Sequence, residues 1–195
     1  MTLILAPAEI SEWQAYAYIE SKGPGAYPPE TVALIVSAYW QIGYEEKVRP
    51  EVALAQSLKE TGYFRFGGAV RPGQNNFAGI GATGGGEPGK SWPSIIDGVR
   101  GHLRRLRLYA TPALIVTQVG LHDLTIILRP LPERYWGSAP TVEKLSGKWA
   151  PSLTYGDSIV ESYLNPMLGW PDPSRPLEPG ELVSLRRLLN PVPPI

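Results

Sequence analysis

No cysteine occurs among the 195 residues. That excludes disulfide bridges and thiolate metal sites. Histidine is nearly as scarce: the two, His102 and His122, stand twenty residues apart. Neither belongs to an HExxH-type spacing, so no metal site is expected. No charge surplus exists either, with 18 basic against 18 acidic residues. Nucleic-acid binders usually carry a basic excess, so nucleic acid is not expected as a partner. No run approaches the roughly 18 apolar residues that a membrane-spanning helix needs. The N-terminal "MTLILAPAEISEW" has a short apolar run but no basic region before it. This is too little for a signal peptide. The expectation is a chain cytoplasmic as synthesised, with no stable membrane insertion. Nucleophile-elbow, P-loop and dinucleotide signatures are all missing, and no cofactor is expected.

What is present is an ordinary globular composition, 43% hydrophobic, with six tryptophans, ten tyrosines and three phenylalanines. Flat side chains suit core packing first and stacking on sugar rings second. "PAEISEWQAYAYIES" reads as a first helix with Ile10, Trp13, Tyr16 and Ala17 at helical spacing. "PETVALIVSAYWQIGYEEKV" reads as a buried second helix carrying Val32, Ile35, Val36, Tyr39 and Trp40. "RPEVALAQSLKETG" is a third: Pro50 opens it, Gly62 ends it, and Leu54 and Leu58 form its stripe. Residues 63–92 are rich in glycine and are either an irregular β-hairpin or a glycine-rich loop. Helix resumes at "WPSIIDGVRGHLRRLRLYA", where Trp92, Ile96, Val99, Leu103 and Leu106 share a face. Arg100, Arg104, Arg105 and Arg107 point away, most simply as a solvated face or else toward an anionic polymer. "ALIVTQV" and "LTIILRPL" fit strand or helix. "GSAPTVEKLSGKW" gives a short helix, and "APSLTYGDSIVESYLNPMLGW" a last one capped by Ser152 or Thr154. The domain spans 1–170. Residues 171–195 form a proline-rich tail with one amphipathic segment, Leu182, Leu185, Leu188 and Leu189.

Glu60 stands out. It sits on the last helical turn, where the negative end of the dipole disfavours a carboxylate. Gln56 and Ser57 share its face, because four- and three-residue steps bring side chains together. Tyr63, Phe64 and Phe66 follow closely and can shield the carboxyl from water. Desolvation and the dipole both raise a carboxyl pKa, and a general acid at neutral pH needs that shift.

Four blocks in order, "ALAQSLKETGYFRFGG", "QNNFAGIGATGGG", "GVRGHLRRLRLYA" and "GSAPTVEKLSGKWAPSLTYGDSIV", resemble the glucosaminidase domains of glycoside hydrolase family 73. These are bacterial and phage enzymes that cut peptidoglycan. The resemblance runs from about Thr31 to Val160. It implies a mainly α, lysozyme-like fold: a helical lobe, a small glycine-rich β-lobe and a cleft between them. It implies an endo-β-N-acetylglucosaminidase that cleaves the GlcNAc-β-1,4-MurNAc bond of peptidoglycan glycan strands. Glu60 matches the general acid and Tyr155 the active-site tyrosine facing it. Asn75, Asn76 and Phe77 match the wall behind the acid, although asparagines in such loops also satisfy backbone groups. Gln56, Phe64 and Phe66 are further candidate substrate-binding residues.

Some members carry a second acid in the β-lobe. Here Glu87 in "GGGEPGK" is the one acid in that stretch, as catalytic candidate or solvated loop tip. The stretch from Pro112 to Arg134 departs from the family pattern. Two alternatives stand beside the glucosaminidase expectation. One is a lytic transglycosylase on the same fold; the other is a wall-binding module without turnover. A wall substrate combined with no signal peptide implies release of the phage-lysin type or another export route.

Overall fold

A computed structural model describes residues 1–82, 87–118, 120 and 124–173. His122, the glycines of the 83–86 run and the tail segment from Leu182 to Leu189 lie outside them. The described chain is mainly helical. Among the described residues the only β pairing is two isolated bridges, Leu3 with Thr141 and Ser146 with Ala150.

Helix α1 spans Glu12–Ser21, and its N-cap Ser11 accepts a hydrogen bond from the Gln14 amide N–H. Its buried face is not the one its apolar spacing suggests. Trp13 is 57% exposed, whereas Gln14, Ala15, Tyr18 and Ile19 are buried. The reason is polar: Gln14 Nε2 donates to the carbonyls of Met167 (3.3 Å) and Leu168 (3.0 Å). These belong to a helix end whose last carbonyls need donors from outside.

Helix α2, Pro29–Glu46, has proline in its first turn and ends at Lys47 in the left-handed region (φ 59°). It is the central helix expected. Val32, Ile35, Val36, Tyr39 and Ile42 are buried, and α1, α3 and α4 pack around it. Helix α3, Pro50–Thr61, stops at Gly62 (φ 59°). Burial runs almost around its whole circumference, from Pro50 to Leu58.

Helix α4, Ile95–Ala110, is capped by Ser94, whose Oγ accepts from the Asp97 N–H. Val99, Leu103 and Leu106 are fully buried, as the spacing predicts. Its arginines are not a plain solvated face. Arg104 Nε (2.8 Å) and Arg107 Nη1 (2.9 Å) hold the buried carboxylate of Glu46, and Arg100 bridges Glu45 and Glu46.

The described residues of the glycine-rich stretch, 63–82 and 87–92, form a loop and contain no strand. One 3-10 turn, Pro72–Gln74, interrupts it, and its order comes from side-chain amides. Asn76 clamps the Ile80 N–H, the Ile80 carbonyl and the Lys90 carbonyl at 2.9–3.0 Å. Phe64 and Phe77 anchor it in the core. Helix α4 approaches so closely that a Cβ at Gly98 would lie 1.9 Å from the Asn75 carbonyl oxygen. Glycine is the residue that fits there.

Beyond α4 the two ambiguous apolar runs are short helices, α5 (Ala113–Gln118) and α6 (Leu124–Ile127). The short helix expected after Gly137 is one 3-10 turn, Glu143–Leu145. Helix α7, Tyr155–Ile159, continues through a π-helical segment, Val160–Leu164, into α8, Asn165–Leu168. Thr154 occupies the N-cap position without a side-chain bond to the helix. The expected division at residue 170 falls next to the last described residues. There Asp172 accepts from Ser11 Oγ at 3.1 Å.

Candidate functional site

Helices α2, α4 and α7 each send one side chain, and α3 sends two, into a shared polar line through the core. At its outer end stands Glu60, one residue before the end of α3. The Tyr155 hydroxyl, at the start of α7, donates to Glu60 Oε1. Tyr155 also receives Gln56 Nε2 at 2.8 Å. The four-residue step on α3 thus turns Gln56 and Glu60 toward one hydroxyl. Gln56 Oε1 meets His102 Nε2 at 2.9 Å, and His102 Nδ1 meets the Tyr39 hydroxyl at 2.8 Å. Gln56, His102 and Tyr39 are buried at 0–1% exposure.

Donor counting gives this line a direction. A tyrosine hydroxyl has one proton. Tyr155 gives it to Glu60, which when ionised can only accept, so Tyr155 must accept from the Gln56 amide. Gln56 Oε1 therefore faces His102 and takes the Nε2–H. That leaves His102 Nδ1 as the acceptor for the Tyr39 proton. Burial holds the His102 pKa down at about 3, with Arg105 nearby adding to the effect. The imidazole is therefore neutral across the working range, in the tautomer the line requires. Every bond points toward Glu60. When Glu60 is protonated, Oε1 still receives Tyr155, so the acidic proton belongs on Oε2. A Cβ built on Gly79 would come within 3.3 Å of that oxygen.

Glu60 is open to solvent, as a group that meets a substrate has to be. Its seat is not the dry one that three following aromatics suggest. Phe64 turns fully into the core, against Tyr27 and Phe77. Desolvation by the surrounding protein nevertheless raises the Glu60 pKa, opposed by the Tyr155 hydrogen bond and the charge of Lys59. Tyr155 is pushed well above its ordinary value, by burial first and by Glu60 second. It stays protonated and acts as a donor.

Glu60 opens on a cleft of about 200 Å³ that it lines with Phe66, Gly67, Gly68, Asn76 and Gly79. A strained backbone shapes the entrance. Tyr63 (φ 57°), Phe64 (φ 59°) and Phe66 (φ 51°) all lie in the left-handed region, which costs a non-glycine residue about 1–2 kcal/mol each. Such residues gather at functional sites, where the fold over-determines them. The Thr61 hydroxyl supports the turn, donating to the Ser57 carbonyl (2.7 Å) and accepting the Phe64 N–H (3.0 Å). A larger hollow, about 440 Å³, lies elsewhere, lined by Leu5, Pro7, Trp40, Tyr44 and Pro50. Lys47 is its one charged residue, so size does not locate the chemistry.

The candidates from the sequence separate into three groups. Glu60, Phe66 and Asn76 come together at the cleft, and buried Tyr155 joins them through its bond to Glu60. Gln56, Phe64 and Phe77 stand behind it, buried, where they position rather than touch a ligand. Asn75, in the left-handed region (φ 51°), donates Nδ2 to the Trp92 carbonyl at 2.9 Å and serves the loop. Glu87 is exposed and does not line the cleft. Sequence reasoning missed the roles of His102 and Tyr39. The one available signal was a lone histidine flanked by Gly101 and Leu103 on the face of a helix with a clear apolar stripe. No group of three or more metal-ligating side chains occurs among the described residues. No helix among them is long and apolar enough to cross a membrane.

No protein-family model matches the chain, and no solved structure does. It is 34% identical over 133 residues to an uncharacterized protein of Borreliella burgdorferi. The match covers 68% of this chain, which spans 62% of the length of that relative.

Proposed function

We propose that the chain is a peptidoglycan hydrolase, an endo-β-N-acetylglucosaminidase of lysozyme-like fold, with Glu60 as its general acid. The observation that carries this reading is the Glu60 carboxyl. It lies at an open, glycine-lined cleft, its pKa is raised by its surroundings, and Tyr155 binds one oxygen so that the proton sits on the other. A general acid must hold a proton near neutral pH and present it to the leaving oxygen.

In the proposed reaction Glu60 Oε2–H protonates the glycosidic oxygen between N-acetylglucosamine and N-acetylmuramic acid. Positive charge then develops at the anomeric carbon. Retaining glycosidases with two carboxylates place them about 5 Å apart, and inverting ones about 6.5–9.5 Å apart. Among the described residues Glu60 is the one carboxylate lining the cleft, which favours a substrate-assisted route. There the 2-acetamido oxygen attacks the anomeric carbon. Ionised Glu60 then takes a proton from the water that opens the intermediate, and configuration is retained. Tyr155 keeps Glu60 aimed through both steps. The proposal places the protein's action at the cell wall, reached by lysin-type release or another export route.

The test is mass spectrometry of purified peptidoglycan digested with the protein. Reducing N-acetylglucosamine ends are expected. Anhydro-muramic ends would replace this reading with a lytic transglycosylase, and undigested walls would replace it with a binding module.

A further inference from the structure

A second hollow, about 350 Å³, lies beside the cleft and shares Gly79 and Ala82 with it. Among the described residues its lining holds four cations, Arg105, Arg129, Arg134 and Lys148, and no carboxylate. The contrast within α4 is direct. Arg100, Arg104 and Arg107 all end on Glu45 or Glu46. Arg105, pointing the other way, lies over the Trp149 ring at 5.7 Å and donates to the Arg129 carbonyl at 2.9 Å. Arg134 lies over Tyr135 at 4.8 Å, and the Lys148 ammonium donates to the Ser138 carbonyl oxygen. Carbonyls and ring faces hold Arg105, Arg134 and Lys148 in place, and no carboxylate among the described residues pairs with any of the four cations.

Four like charges gathered in one concavity repel one another unless an anion joins them, and a concavity focuses their field outward. Guanidinium forks suit carboxylates, which they hold through paired N–H bonds. The half-buried faces of Trp149 and Tyr135 beside them offer a platform for a ring. Trp149 also packs on His102 at 5.7 Å. The floor of this groove is thus the far side of the hydrogen-bonded line that ends at Glu60. A neutral sugar chain offers these cations no counter-charge, and the chain as a whole, with 18 basic against 18 acidic residues, lacks the basic surplus usual in binders of a polyphosphate backbone.

We propose that this groove is a binding subsite for the carboxylates on the muramyl side of the glycan strand. It selects acidic strands over neutral N-acetylglucosamine polymers. The inference rests on the reading of Glu60 as the acid of a wall glycosidase. Two sources supply the same carboxylate: the lactyl group itself once its peptide is removed, and the stem peptide where it remains.

The experiment uses the full chain carrying Glu60→Gln, so that binding is measured without turnover. The probes are solubilised strands with stem peptides, strands stripped of them, and N-acetylglucosamine oligomers. Arg129→Gln and Arg134→Gln, both at exposed positions, are added singly. Each is expected to weaken the acidic strands about tenfold, the loss of one charge-assisted contact, and to leave the neutral oligomer unchanged. Added salt should reproduce the loss. Whether stemmed or stripped strands lose more identifies the source; loss in either supports the subsite. Equal loss for the neutral oligomer, no loss for any probe, or equally tight single-stranded DNA would overturn it. A parallel digest by the chain with Glu60 intact separates the two readings. Walls left uncut while acidic strands still bind selectively would sink the hydrolase and spare the subsite. Undiminished cutting of acidic strands by Arg129→Gln and Arg134→Gln would sink the subsite alone.

Discussion

Glu46 and Glu60 are the same residue type in the same electrostatic position, each at the C-terminal end of a core helix, and the protein treats them oppositely. The helix dipole disfavours charge at both. At Glu46 three guanidiniums converge on a buried carboxylate, giving it all the partners a charged form needs. At Glu60 no guanidinium among the described residues forms an ion pair. One hydroxyl takes one oxygen, the other oxygen is left at the cleft, and desolvation pushes the pKa up. The first arrangement ties α2 to α4. The second holds one oxygen on α7 and leaves the other at the cleft, where the proposed reaction needs a proton.

The difference is sharpest under the same substitution. Glu60→Gln is expected to lower wall-digesting activity by about 100- to 10,000-fold, the usual worth of a general acid. Chemical denaturation should show unchanged or slightly higher stability, because an amide at the helix end carries no charge to desolvate. Glu46→Gln should do the reverse. Removing one side of a buried ion cluster typically costs about 3–5 kcal/mol, while activity per folded molecule is retained. If Glu60→Gln unfolds the protein, or Glu46→Gln silences it without unfolding it, the contrast between the two sites is wrong.

His102 gives the next largest effect. Its folded pKa is about 3, below the ordinary 6.5. The unfolded chain therefore binds a proton that the folded chain refuses. Stability is intact above about pH 6.5 and falls as pH drops toward 3. At pH 5 this one group costs about 2 kcal/mol relative to pH 7. Denaturation midpoints of the wild type and of His102→Gln, measured at both pH values, check it. The variant should be less stable at pH 7 and less sensitive to acid. An unchanged acid sensitivity would show that His102 is not held neutral.

Much of this arrangement was legible in the sequence. Pro50, Gly62 and the Leu54–Leu58 stripe defined α3, and the four-residue step from Gln56 to Glu60 put both on one face. The near-continuous apolar run of α2 marked it as central. Elsewhere the legible pattern misled. Trp13 kept the apolar spacing of α1 but stands outside, because Gln14 is needed inward by the carbonyls of α8. Phe64 followed the acid in sequence, yet its left-handed backbone (φ 59°) turns it into the core. The arginines of α4 looked uniform, and only the position of Glu46 on α2 divides them into a paired set and a groove-facing Arg105. None of these outcomes is local: each depends on which distant element supplies the partner. The line from Tyr39 to Glu60 crosses four helices and has no local periodicity to betray it.

Tyr155→Phe tests the direction of that line at smaller cost. The hydroxyl bond favours the ionised form of Glu60 and so lowers its pKa. Without it, desolvation acts with less opposition, and Glu60 keeps its proton to higher pH. The basic limb of the pH–rate profile should therefore move upward, while the maximal rate falls about tenfold through lost aim. Assays across the pH range on purified walls check both. A downward shift would mean that Tyr155 does not donate to the carboxylate.

Glu87→Gln is expected to have the smallest effect, and its smallness is informative. Glu87 is exposed and outside the lining of the cleft. A side chain so placed contributes neither the fixed geometry nor the desolvated field that a second carboxylate needs. Turnover within about twofold of the wild type, with the configuration retained in the first-formed product by proton NMR, matches a route in which the substrate's own acetamido group does that work. A loss of 100-fold or more would instead require Glu87 to close over the cleft during the reaction. The protein would then hold a second working carboxylate, and the comparison between Glu46 and Glu60 would have to admit a third acid whose role is set by motion rather than by its neighbours.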